Sequence, residues 1–123
     1  MMESILIVDD DVNLCSFLAE ELNAEGYRTY SLTNSDNVTE FLKDKDTDLV
    51  LLDLNMPGKD GFQVQQEINN FPGIKPKVII LTAHSDVKSA VQSARLGAYD
   101  FICKPYDFGK LLASIRKVIE KSK

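Results

Sequence analysis

Asp48-Leu49-Val50-Leu51-Leu52-Asp53-Leu54-Asn55-Met56-Pro57-Gly58 is the stretch that decides the fold. Its apolar heart of Val and Leu has the character of a strand buried on both faces of a parallel sheet. The run ends in a carboxylate, after which Asn, Pro and Gly break the extended backbone. Asp53 is thereby expected at the carboxyl edge of a central strand, where open α/β sheets place their ligand crevice. An acid is costly to bury there, so the position demands a cation, hydrogen-bond donors or a reaction.

The same pattern recurs on either side. Ser4-Ile5-Leu6-Ile7-Val8 is a second apolar strand, and it runs straight into Asp9-Asp10-Asp11. Val12, Leu14, Phe17, Leu18 and Leu22 then recur at helical spacing as far as a stop at Gly26, predicting a first helix. Residues 27–31 read as a short strand near an edge. Thr33-Asn34-Ser35-Asp36 supplies capping side chains for a second helix with Val38, Phe41 and Leu42 inward. Beyond the Asp53 strand, residues 61–70 suit a third helix resting on Phe62, Val64 and Ile68, ended by Phe71-Pro72-Gly73. Residues 77–82 form a fourth strand that closes on the hydroxyl of Thr82. Ser85 or Asp86 can cap a fourth helix carrying Val87, Val91, Ala94 and Leu96 up to Gly97. Residues 99–103 make a fifth strand ending in Lys104-Pro105. The last helix, from about residue 107, puts Leu111, Leu112, Ile115, Val118 and Ile119 on one face, with Lys117, Lys121 and Lys123 suiting its negative end.

Strand followed by helix, five times, predicts a three-layer (βα)5 sandwich with a parallel sheet between two helical layers. The common order for five such strands is 2-1-3-4-5, which brings strands 1 and 3 together at the switch point. Those are the strands ending in Asp9-Asp10 and in Asp53.

Composition narrows the function. The chain has 123 residues, 44% of them apolar, which suits one folded domain. A net charge of −5 argues against this domain gripping a nucleic-acid backbone by itself. No apolar run approaches the ~18 residues that span a bilayer, and the N-terminus does not read as a signal peptide. Cys15 and Cys103 match neither a metal spacing nor a disulfide framework and read as packing residues, so a cytoplasmic, thiol-reducing compartment is expected.

The strand ends carry the chemistry. Acids converging on one crevice repel each other, and a hard divalent cation with oxygen ligands relieves them. Asp10 and Asp53 are candidate direct ligands of Mg²⁺, with the backbone carbonyl of Asn55 beside them and Asp9 acting through a bound water. Thr82 brings a hydroxyl and Lys104 an ammonium. Such a set suits a transferring phosphoryl group, whose charge lies on three equatorial oxygens. A carboxylate nucleophile forming an aspartyl-phosphate is an established mode of covalent catalysis.

Val8-Asp9-Asp10, the run from Leu52 to Gly61, Leu81-Thr82-Ala83 and Cys103-Lys104-Pro105 resemble the four signatures of the response-regulator receiver domain, the CheY-like family. The likeness covers essentially the whole chain and implies one receiver domain over residues 1–123, with the flavodoxin/CheY-like form of the fold. It implies that Asp53 is the phosphoacceptor, that Asp9 and Asp10 hold Mg²⁺ with the Asn55 carbonyl, that Thr82 is the switch hydroxyl, and that Lys104 contacts the phosphoryl group. It also implies a cis bond between Lys104 and Pro105. Phe101 resembles the family's switch aromatic, without a tyrosine hydroxyl. The implied output face is helix 4, strand 5 and helix 5, over residues 86–121. The implied partners are a sensor histidine kinase and, through that face, an effector domain or target protein; a homodimer formed on phosphorylation stays open. Thr82 to Asp86, Gly97 to Phe101 and Lys104 to Asp107 look most similar to receivers of NtrC-type transcriptional activators. A stand-alone CheY-like regulator is the alternative.

Blander readings stand beside these. Asp11 reads as a helix cap, His84 as an exposed loop residue, and Lys59 and Asp60 as turn residues. A phosphatase of the haloacid dehalogenase type would want a second Asp where Asn55 stands. A flavodoxin-like cofactor binder would want a Gly-rich or Ser/Thr-rich phosphate loop after the first strand, which is lacking. The chemistry therefore points to a signalling module that catalyses its own phosphorylation and dephosphorylation, rather than to an enzyme acting on an external substrate.

Overall fold

The computed structural model describes residues 2–121; Lys123, expected near the end of the last helix, lies outside them. The elements are β1 (Ser4–Val8), α1 (Val12–Ala24), β2 (Arg28–Leu32), a 3-10 turn (Ser35–Asn37), α2 (Val38–Asp44), β3 (Leu49–Leu52), α3 (Gly61–Asn69), β4 (Lys77–Thr82), α4 (Val87–Arg95), β5 (Asp100–Cys103) and α5 (Phe108–Lys121). All neighbouring strands pair in parallel, in the order β2-β1-β3-β4-β5. The expected sandwich is the observed one.

Side chains alternate across the sheet and so feed two cores. Ile5, Ile7, Leu49, Leu51, Ile79 and Leu81 face α1 and α5. Leu6, Val8, Val50, Leu52, Val78 and Ile80 face α2 and α3. With both faces covered, every residue of β1 and β3 is buried, which is why their sequences show no polar alternation.

The helices hold the surprises. In α1, Leu18 and Leu22 are buried as expected, but Val12 and Phe17 are 61% and 62% exposed and Cys15 takes the inward place. Cys15, Leu18 and Leu22 form one stripe, while Val12 opens the helix and Phe17 lies a residue off that stripe. In α4, Val87 and Val91 also face outward, at 79% and 44% exposure, and the buried residue is Ser93. Polar ties replace an apolar seam here: the Gln65 amide of α3 donates to the Ser93 carbonyl at 3.0 Å, and the Asn69 amide to that of Leu96 at 2.8 Å. Cys103, expected to pack, is exposed, because β5 is an edge strand.

Local signals fare better. Asp11 caps α1 through the Leu14 amide, and Asp86, rather than Ser85, caps α4 through the Ser89 amide. Asp60 forms a capping box with Gln63 at the start of α3. Asn34, however, caps the short 3-10 turn, and α2 begins without a side-chain cap bond. The strand bounds shift by one residue, β2 beginning at Arg28 rather than Tyr27 and β5 at Asp100 rather than Tyr99.

Candidate functional site

The register of the sheet assembles the site. β1 and β3 are neighbours with Val8 opposite Leu52, so the next residue of each, Asp9 and Asp53, leaves the sheet side by side. The Asp53 amide donates to the Val8 carbonyl at 3.0 Å and holds that junction. On the other flank Thr82 ends β4 opposite Cys103, and the Lys104 amide donates to the Thr82 carbonyl at 2.9 Å. The Lys104–Pro105 peptide is cis, as the motif implied.

The side chains then converge. Lys104 Nζ donates to Asp9 Oδ2 at 2.6 Å and to Asp53 Oδ2 at 3.2 Å. Thr82 Oγ1 donates to Asp53 Oδ1 at 2.7 Å, and the Asn55 amide reaches the same oxygen at 3.2 Å. Asp9 is steadied from behind: its Oδ1 accepts from the Asp11 amide, and the Cys15 thiol donates to its backbone carbonyl. Carboxylate oxygens of Asp9, Asp10 and Asp53 lie within 4.8 Å of one another. Asp9, Asp53 and Thr82 are buried, whereas Asp10 and Asn55 are exposed. Four strand ends thus meet at one small polar cluster.

Its charge is unbalanced. Three carboxylates face one ammonium, which leaves two negative charges uncompensated. Burial pushes the Asp9 carboxyl above the usual carboxylate range, although the Lys104 hydrogen bond opposes it. For Lys104, burial alone would lower the pKa, but the hydrogen bond it donates to Asp9 and the charges of Asp53 and Asp9 outweigh it, and the ammonium is held above the ordinary lysine value. Burial sets the direction for Asp9, and the two neighbouring acids set it for Lys104. A hard divalent cation matches the deficit in charge and the all-oxygen donor set.

Phe101 does not touch this cluster by any hydrogen bond, but it shares a sheet face with Thr82. It lies opposite Ile80 in β4, two residues before Thr82, and is half-buried against the α2–α3 core. His84 is exposed, and its amide donates to Thr82 Oγ1 at 3.2 Å. One participant went unread in the sequence. Ser35, expected to cap a helix, is fully buried and turns its hydroxyl onto the loop between β3 and α3.

Residues 5–116 match the Response regulator receiver domain family. The chain is a receiver domain of that family. Among similar proteins, the transcriptional regulatory protein ZraR of Klebsiella oxytoca is 38% identical over 94% of this receiver and 26% of its own length. The DNA-binding transcriptional regulator NtrC of Escherichia coli (strain K12) is 35% identical over 94% of this receiver and 24% of its own length. This receiver thus spans about a quarter of the length of these curated relatives. Sporulation initiation phosphotransferase F of Bacillus subtilis is 33% identical over 97% of this receiver and 95% of its own length. The solved signal receiver domain of a putative Luxo repressor protein from Vibrio parahaemolyticus superposes with a TM-score of 0.89 at 28% identity, over 98% of this chain and 92% of that one. The receiver is a signalling module, and its relatives include the NtrC-type activators.

Proposed function

We infer that Asp53 accepts a phosphoryl group from a phosphohistidine of a sensor kinase. The observation that carries this reading is the contact set of the Asp53 carboxylate, which holds the Thr82 hydroxyl on one oxygen and the Lys104 ammonium on the other, beside Asp9 and Asp10. A carboxylate oxygen of Asp53 attacks phosphorus as the phosphorus–nitrogen bond to imidazole breaks, the bonding pair leaving with the imidazole. The product is an acyl phosphate on Asp53. Lys104 neutralises charge on the transferred oxygens, and Thr82 offers them a hydrogen bond. Asp9, Asp10, Asp53 and the Asn55 carbonyl would hold Mg²⁺, which when bound supplies further neutralisation of the phosphoryl oxygens. By catalysing the gain and loss of its own phosphoryl group in this way, the domain over residues 1–123 works as a cytoplasmic switch.

Thr82 turning toward a new phosphoryl group would free space on its sheet face for Phe101 to enter. That movement would reshape the α4–β5–α5 face and so act on an effector domain or a target protein. Likeness to ZraR and NtrC favours an effector domain controlling transcription. Likeness along nearly the whole of the Bacillus subtilis protein favours the second reading, a stand-alone regulator. An immunoblot giving the size of the native polypeptide separates the two.

Asp53→Asn is expected to abolish phosphorylation by a small phosphodonor in Mg²⁺, read by intact mass. Full phosphoryl incorporation in that variant would overturn the assignment.

A further inference from the structure

The loop between β3 and α3, residues 53–60, carries both Asp53 and the proposed Asn55 ligand, yet little of its own backbone fixes its middle. The Asn55 amide is spent on Asp53 Oδ1, Pro57 has no N–H, and the next backbone bond is Gly61 to the Leu54 carbonyl. What fixes it comes from another strand's end. Ser35, with none of its surface exposed, donates its hydroxyl to the Pro57 carbonyl at 3.1 Å and to the Lys59 carbonyl, a three-centre bond from one proton. Between those two carbonyls stands Gly58 at φ +89°, cradled so closely that a Cβ there would lie 2.7 Å from Asp36 Oδ1 and 2.9 Å from Ser35 Oγ. A buried hydroxyl without a partner is costly, so Ser35 and the loop fix each other's orientation.

We propose that Ser35 is a positioning residue of the magnesium-and-phosphoryl site: its hydroxyl clamps the Pro57 and Lys59 carbonyls and so holds the Asn55 peptide in place to ligate the cation. The proposal rests on the reading of Asn55 and Asp53 given above. Groups that orient metal ligands commonly tune affinity, with losses of about 10–100-fold when they are removed. Ser35 touches neither the cation's ligands nor the phosphoryl group, so it acts through the loop.

Three measurements on Ser35→Ala test this beside wild type and Ser35→Thr. The Mg²⁺ dissociation constant from calorimetry is expected to rise about tenfold. Amide exchange over residues 55–59 is expected to quicken in the metal-free protein. In phosphorylation by a small phosphodonor, the Mg²⁺ concentration for half-maximal rate is expected to rise while the rate at saturating Mg²⁺ stays near wild type. Ser35→Thr, which keeps the hydroxyl, is expected to recover the affinity if its extra methyl is accommodated, as an unchanged melting temperature would show. Unaltered Mg²⁺ affinity in Ser35→Ala, with or without a lower melting temperature, would overturn the proposal and leave Ser35 a packing residue. A wild-type protein that takes up no phosphoryl group would instead sink the underlying reading, so the two failures are distinguishable.

Discussion

Lys104 does two jobs with one ammonium. It bridges Asp9 and Asp53, and its pKa stands above the ordinary lysine value because those two acids outweigh the cost of burial. A base raised in the folded state contributes stability that is complete below its unfolded pKa and is lost as pH rises through the folded one. The bridge therefore supports the fold at neutral pH and fails only in alkali, above the usual lysine range. Lys104→Met removes it and leaves buried carboxylates facing each other. Its cost without metal is expected to be about 1–3 kcal/mol, read by urea denaturation at neutral pH and shrinking when Mg²⁺ is added. An equal loss with and without Mg²⁺ would show that ammonium and metal do not share these acids.

Among the elements, α4 is held differently from the others. Its Val87 and Val91 face solvent, Ser93 is its buried residue, and Gln65 and Asn69 of α3 tie its last carbonyls. An element with little apolar burial opens at low free energy. Amide exchange in α4 is expected to outrun that in α3 and α5, and Gln65→Ala to quicken it further at a cost of about 1–2 kcal/mol. Equal protection across the three helices would contradict this. The same helix marks a limit of what the sequence could tell. β1 and β3 were legible because burial on both faces leaves an unbroken apolar run, and their ends located Asp9 and Asp53, as the ends of β4 and β5 located Thr82 and Lys104. Periodicity in α1 and α4 gives a helix without saying which side meets the sheet, and Phe17, Val87 and Val91, which carry that periodicity, lie outward. Ser35 was hidden for another reason. A serine before a helix signals a cap, and only the tertiary approach of the β3–α3 loop turns its hydroxyl elsewhere.

Across the whole molecule, the site is a local weakness supported by two large cores. Burial raises the Asp9 carboxyl in the metal-free protein. For an acid with a raised pKa, the folded state binds more protons than the unfolded one between the two values, so stability falls as pH climbs through that window. Asn cannot ionise and mimics the protonated acid. Asp9→Asn is therefore expected to match wild type in acid and to become the more stable protein at neutral pH without metal. Mg²⁺ is expected to reverse the order, because a ligand at 100 times its dissociation constant stabilises the protein that binds it by about 2.7 kcal/mol. The variant, short of one proposed ligand, gains less. Melting temperatures across pH, with Mg²⁺ and with a chelator, measure both effects. A wild-type protein that is the more stable at neutral pH in chelator would mean that the Lys104 bridge already compensates the three acids. The cluster would then owe its acidity to structure rather than to the cation and phosphoryl group proposed for it.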